Sequence, residues 1–164
     1  MQEKLQKVEN SSIQVKDMVD RIIGNSTAQI DDYISSVKTL FLTNNISDSD
    51  LDKIILQIPV YLYYLTTILQ DIDIKKGVSA ETAKYCENEF LLSAVGTVAE
   101  KQAKASNESV KDRVVQLAFK TASQLIQNKM NNAMEILSSA KKVQQRRLEE
   151  MRLTKMAGNS VGTF

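Results

Sequence analysis

The chain has 164 residues, 43% hydrophobic and 25% charged, enough for one domain with a real core and too few for two independent ones. Five Gly, one Pro and no Trp argue against a turn-rich β architecture, and the single cysteine, Cys86, excludes a disulfide framework. The net charge is only +1 and histidine is absent, which removes the commonest general base and the commonest transition-metal ligand.

These totals predict an all-α fold: short N-terminal helices packed as a small bundle, with one long C-terminal helix. The expected division is a helical body over 1–106, a long basic helix over 107–156 and a flexible tail over 157–164.

In chain order, Val15, Met18, Val19, Ile22 and Ile23 share one helical face. Ser11 and Gln14 are spaced as a capping box from which the helix is expected to restart, and Gly24 supplies a stop. Ser26 and Gln29 repeat the box before a stripe of Ile30, Tyr33, Ile34, Val37, Leu40 and Phe41, which ends in the turn-prone Thr43-Asn44-Asn45. Ser47-Asp48-Ser49-Asp50 then opens a third helix with acids that complement its dipole. Pro59 predicts a kink or break near Ile58, and Gly77 is expected to close the unit. Its most apolar part, from Ile54 to Leu69, is too short for a membrane span and holds Gln57 and Pro59, so it reads as a core helix. Ser79-Ala80-Glu81-Thr82 should cap a fourth helix carrying Ala83, Cys86, Phe90, Leu91, Ala94 and Val98, with Gly96 inside it.

From Asn107, placed as a cap, to Met156 the pattern is one long helix. Ile126, Met130, Ala133, Leu137, Ala140 and Leu148 recur at nearly heptad spacing, interrupted by Gln144, and are the expected oligomerisation seam. About fifty residues extend roughly 75 Å, against a radius of gyration of about 15 Å for a compact chain of this length. Such a helix must bend, fold back or find a partner. Between Glu108 and Lys155, ten basic residues face five acids, so this segment carries +5 and the remainder −4.

Catalytic chemistry is thinly supplied. No Gly-rich phosphate loop is present, Cys86 reads as a small buried hydrophobe, and Asp31-Asp32, Asp48 with Asp50, and Asp71 with Asp73 read as solvated acids at helix ends. Neither an enzyme nor a cofactor is expected. The N-terminus lacks the layout of a signal peptide, which points to a reducing cytoplasm.

Two clusters stand out. Lys141, Lys142, Arg146, Arg147, Arg152 and Lys155 read as the solvated face of a coiled coil, a nucleic-acid contact or a membrane-facing patch. Tyr61-Leu62-Tyr63-Tyr64 offers three phenols that either fill a core edge, the expected reading, or stack on unpaired bases.

The order of features from Ile58 to Met151 resembles the UvsY-like recombination mediators of tailed bacteriophages. The resemblance rests on Ile58-Pro59-Val60-Tyr61-Leu62-Tyr63-Tyr64-Leu65, on Tyr85 through Gly96-Thr97-Val98-Ala99-Glu100-Lys101, and on Ile136-Leu137-Ser138-Ser139-Ala140-Lys141-Lys142-Val143 running into Arg146-Arg147-Leu148-Glu149-Glu150-Met151. It implies a homo-oligomer without catalytic activity, working in the host cytoplasm. Such a protein binds single-stranded DNA and helps load a recombinase onto strands coated by a single-strand-binding protein. On this reading the six cations contact DNA phosphates. The rival expectation is a phage structural or assembly protein, such as a helical virion, scaffold or packaged component, whose seam packs against a larger partner.

Overall fold

A helix starts cleanly where side chains satisfy its unbonded amide donors, and two starts here are built as reciprocal capping boxes. The Asp50 carboxylate accepts from the Ser47 N–H (3.1 Å) and hydroxyl (2.6 Å), while the Asp50 N–H donates to the Ser47 hydroxyl (3.1 Å). The Glu100 carboxylate likewise accepts from the Thr97 N–H (2.9 Å) and hydroxyl (3.0 Å), and the Glu100 N–H donates back to that hydroxyl at 3.4 Å.

The structure is a computed structural model that describes residues 2–43 and 46–159. Among these residues the elements are α1 (Gln2–Ile23), a 3-10 turn (Gly24–Thr27), α2 (Ala28–Leu42), α3 (Asp48–Ser93), α4 (Val98–Glu108) and α5 (Val110–Asn159), with no strand. The all-α fold with a long C-terminal helix is therefore as expected, and Gly24 makes its turn at φ +50°.

Several expected boundaries differ. α1 runs through Ser11 without a restart, and the expected third and fourth helices are one element, α3, of 46 residues. Pro59 does not end it. Pro59 lies on an exposed face, so the carbonyl it leaves unbonded is on the solvent side, while Ile58 and Leu65 beside it are buried. Gly77 does not end it either. Its cost of about 1 kcal/mol relative to alanine is opposed by burial of Ile72 and Ala83 and by the ion pairs Asp71–Lys75, Asp73–Lys76 and Glu81–Lys84 along the same helix.

The break comes instead at Gly96, which adopts φ +132° between α3 and α4, and where the Thr97 capping box restarts the helix. Asn107 is not a helix start. α4 passes into α5 through Ser109 alone, which is buried and accepts and donates helical hydrogen bonds on both sides. α5 runs to Asn159, and residues 160–164 of the expected tail lie outside the described residues.

The chain forms two compact units. The first contains Met1–Thr27 and Leu65–Asn128, with a core of Val19, Ile23, Leu65, Ile72, Ala83, Ala105, Ala118, Ala122 and Ile126. Within it Asp73 of α3 accepts from Ser123 of α5 (2.7 Å), and Glu87 accepts from Arg113 (3.0 Å), so residue numbers rise on one helix as they fall on the other. The two helices are antiparallel there. The second unit contains Ala28–Tyr64 and Lys129–Phe164, with a core of Ile30, Val37, Ile46, Leu51, Ile54, Ile58, Ala133 and Ala140. In it Asp52 accepts from Gln144 and Asp48 from Arg147, both at 2.6 Å, which again sets α3 and α5 antiparallel. Lys129 pairs with Asp31 of α2, and Tyr33 of α2 packs on Tyr61 of α3 with ring centroids 5.2 Å apart. Burial and the Tyr61 phenol raise the Tyr33 pKa.

In the second unit buried positions lie seven apart along α3 (Leu51, Ile58) and along α5 (Ala133, Ala140), and in the first unit Leu65 and Ile72 of α3 have the same spacing, the repeat of helices packed along a seam. The α5 positions of the second unit are alanine, which lets helix axes approach closely.

Three carboxylates are held below their ordinary range. The Ser47 hydroxyl and then its N–H stabilise ionised Asp50, Lys76 and then Ser123 stabilise Asp73, and the Thr97 N–H and then its hydroxyl stabilise Glu100. Each is a stronger acid folded than unfolded, so its contribution is complete above the unfolded value of about 4 and is lost as pH falls through the lower folded one. Denaturant midpoints followed by circular dichroism are expected to decline as pH falls below about 4, and Asp73→Asn should flatten part of that decline.

Candidate nucleic-acid interface

The exposed face of α5 in the second unit is organised by two residues that turn inward. Arg147 donates from Nη1 to Asp48 Oδ1 (2.6 Å) and from Nη2 to the Ile46 carbonyl (2.7 Å), and Gln144 one turn earlier donates to Asp52. Arg147 thus fastens the segment entering α3 and is not an open phosphate ligand. Of the predicted cations, Arg146 makes an exposed pair with Glu150 at 3.1 Å on its own helix, worth a few tenths of a kcal/mol.

Lys141, Lys142, Arg152 and Lys155 are exposed, and among the described residues none of them forms an ion pair. Beyond Arg147, Leu148, Met151, Leu153 and Met156 are exposed as well. Met151, Thr154 and Lys155 line an open cleft of about 550 Å³ with Asp48, Arg147 and Glu150. The end of α5 is therefore both basic and apolar on its surface.

The expected oligomerisation seam is placed differently. Ile126, in the first unit, and Ala133 and Ala140, in the second, are fully buried inside the chain; Met130 and Leu137 are half-buried, and Leu148 alone of the six is exposed. Within each unit α5 packs against α3 of the same chain, and alanine at two of these positions suits that close approach.

The tyrosine cluster also departs from its expected core role. Tyr61 is half-buried against Tyr33, but Tyr63 and Tyr64 are 73% and 62% exposed, with ring centroids 6.2 Å apart in an edge-to-face arrangement. Cys86 is half-buried rather than fully buried. Burial, followed by the neighbouring Asp112 and Glu89 carboxylates, raises its pKa, which keeps the thiol protonated at neutral pH.

Sequence reasoning missed the inward pair. Its signal was Gln144 and Arg147, three apart on the buried side of α5, against Asp48 and Asp52, four apart on α3, a match that only an antiparallel pairing reveals. It also missed Ser123, whose buried hydroxyl donates to Asp73 while Lys76 donates to it at 3.3 Å.

Among the described residues no helix is long and apolar enough to cross a membrane, and no three cysteine or carboxylate side chains are grouped to hold a metal ion. Comparison with protein-family models, with curated proteins and with solved structures finds no match to this chain.

Proposed function

We propose that this chain is a non-enzymatic, homo-oligomeric single-stranded DNA-binding protein of the recombination-mediator class, acting in the cytoplasm of a phage host. Lys141, Lys142, Arg152 and Lys155 hold phosphates, with Arg146 joining them by giving up Glu150. The mediator role, loading a recombinase onto strands coated by a single-strand-binding protein, rests on the resemblance carried by the segments between Ile58 and Met151.

What supports DNA binding most is the set of four cations without carboxylate partners on the exposed end of α5. A cation already paired gains little from a phosphate, whereas an unpaired one releases a condensed counterion when it binds. Self-association belongs to the same proposal, with exposed Leu148 as the part of the predicted seam open to a second copy.

The test is a titration of labelled single-stranded oligonucleotide at several salt concentrations. Four to five phosphate contacts predict a log–log salt slope of about −3. Replacing Lys141, Lys142, Arg152 and Lys155 together by glutamine should weaken binding at least tenfold, in rough proportion to the lost slope. Absence of binding at low salt overturns the proposal. It would favour the second reading, a phage structural or assembly protein, for which the exposed Leu148, Met151, Leu153 and Met156 provide a docking surface.

A further inference from the structure

The second unit has a face on which aromatic, apolar and basic side chains adjoin. On α3, Tyr61 turns toward α2, where it meets Tyr33, and Asp52 turns toward α5, where it meets Gln144. At about 100° per residue, Tyr63 lies about 200° round the helix from Tyr61 and only about 20° from the heading of Asp52. It therefore stands beside the α3/α5 seam on the side away from α2. Leu56 and Val60, both exposed, continue along that side.

The same reading applies to α5. Ile136 turns toward α2, lining a cleft with Phe41 and Leu42, and Gln144 turns toward α3. Lys141 lies about 60° further round than Gln144, away from Ile136, and Arg152 and exposed Leu148 share that heading. Both helices thus present their outer residues to one surface, flanking one seam. Because Asp52 and Gln144 are level, Tyr63 lies about 12 Å along the axis from Lys141, and Arg152 about 16 Å from Lys141 on the opposite side.

We propose that single-stranded nucleic acid crosses this surface, with Tyr63 on the α3 side of the seam stacking on an unpaired base and Lys141 and Arg152 on the α5 side holding phosphates. This rests on the DNA-binding reading above and adds a base-contacting residue and a path to it. The occupant follows from charge. Two copies joined face to face through this surface would bring the cations Lys141 and Arg152 of each copy to the same interface, while Asp52, Glu149 and Glu150 already accept from Gln144, Gln145 and Arg146. A polyanion with unpaired bases offers phosphates to the cations and a ring face to exposed Tyr63, whereas a duplex offers no free base face.

The test uses the full chain, with Tyr63→Ala, Tyr63→Phe, and Tyr85→Ala as a control at another exposed tyrosine. Tyr63→Ala should weaken binding of single-stranded oligonucleotide about tenfold without changing the salt slope, because stacking displaces no counterion. Tyr63→Phe and Tyr85→Ala should bind as the parent does. An oligonucleotide of abasic sites should lose the same factor with the parent and nothing further with Tyr63→Ala. With no tryptophan in the chain, quenching of tyrosine emission reports the contact directly and should shrink in Tyr63→Ala. If the parent binds and Tyr63→Ala binds equally, this inference fails while the DNA-binding reading stands. If the parent does not bind at low salt, both fall. A change of mass by light scattering in Tyr63→Ala, with binding unchanged, would assign the surface to a second copy and overturn the inference.

Discussion

Ile58→Ala is expected to lower the unfolding free energy by about 2–5 kcal/mol, whereas Leu56→Ala, two residues away on the same helix, should change it by no more than about 0.5 kcal/mol. Ile58 is fully buried in the second unit among Leu51, Ile54, Ala133 and Ala140, and Leu56 is exposed. Truncating Ile58 removes apolar area and leaves a space that its neighbours fill only in part. Denaturant unfolding of the two variants measures the contrast. Equal effects would show that α3 does not bury the face assigned to it.

Arg147→Ala is expected to destabilise by about 1–3 kcal/mol, because it strips a charge-assisted donor from the Ile46 carbonyl and leaves Asp48 unpaired. The Asp48 half is discounted, since that carboxylate is 67% exposed and well screened. Most of the loss comes from the carbonyl, which precedes the Ser47 capping box that starts α3. The same variant should lower DNA affinity less than Arg152→Ala does. Arg147 is engaged within the chain, whereas Arg152 has no acid to release. Thermal unfolding and the salt titration together separate the two roles, which composition alone had merged into one basic cluster.

How much of this was legible beforehand follows from the range of the forces involved. Helical character was readable because apolar periodicity is local, as with Val19 and Ile23 in α1 or Ile30 and Val37 in α2. The stop at Gly24 was readable for the same reason. The continuity of α3 through Pro59 and Gly77 was not, because each breaker is outweighed by burial of residues against helices distant in sequence. Gly96 was misplaced inside a helix although Thr97 and Glu100 carried the spacing of a capping box.

The site divides in the same way. That the cations cluster was plain, but which were open required partners nearly a hundred residues away, as with Arg147 and Asp48. The near-heptad along Ile126, Ala133 and Ala140 was read as an oligomerisation seam, whereas these residues are buried within the chain, because sequence periodicity cannot say whether the partner helix belongs to the same chain. Alanine at two of three positions was the available hint, since small side chains suit a tight intramolecular approach.

The turns of α5 beyond Arg147 have a consequence for order. From Leu148 to Met156 the side chains are exposed and the helix gains little from packing, and a segment shorter than about 12–15 residues is marginal when it stands alone. It is held by templating from the anchored turns before it and should open more readily than they do. Its amides should therefore exchange with deuterium faster than those around Ala140, and a bound polyanion would slow that exchange by neutralising the positive charges that repel one another along the last turns. In this way the end of the rod reports occupancy through its own melting.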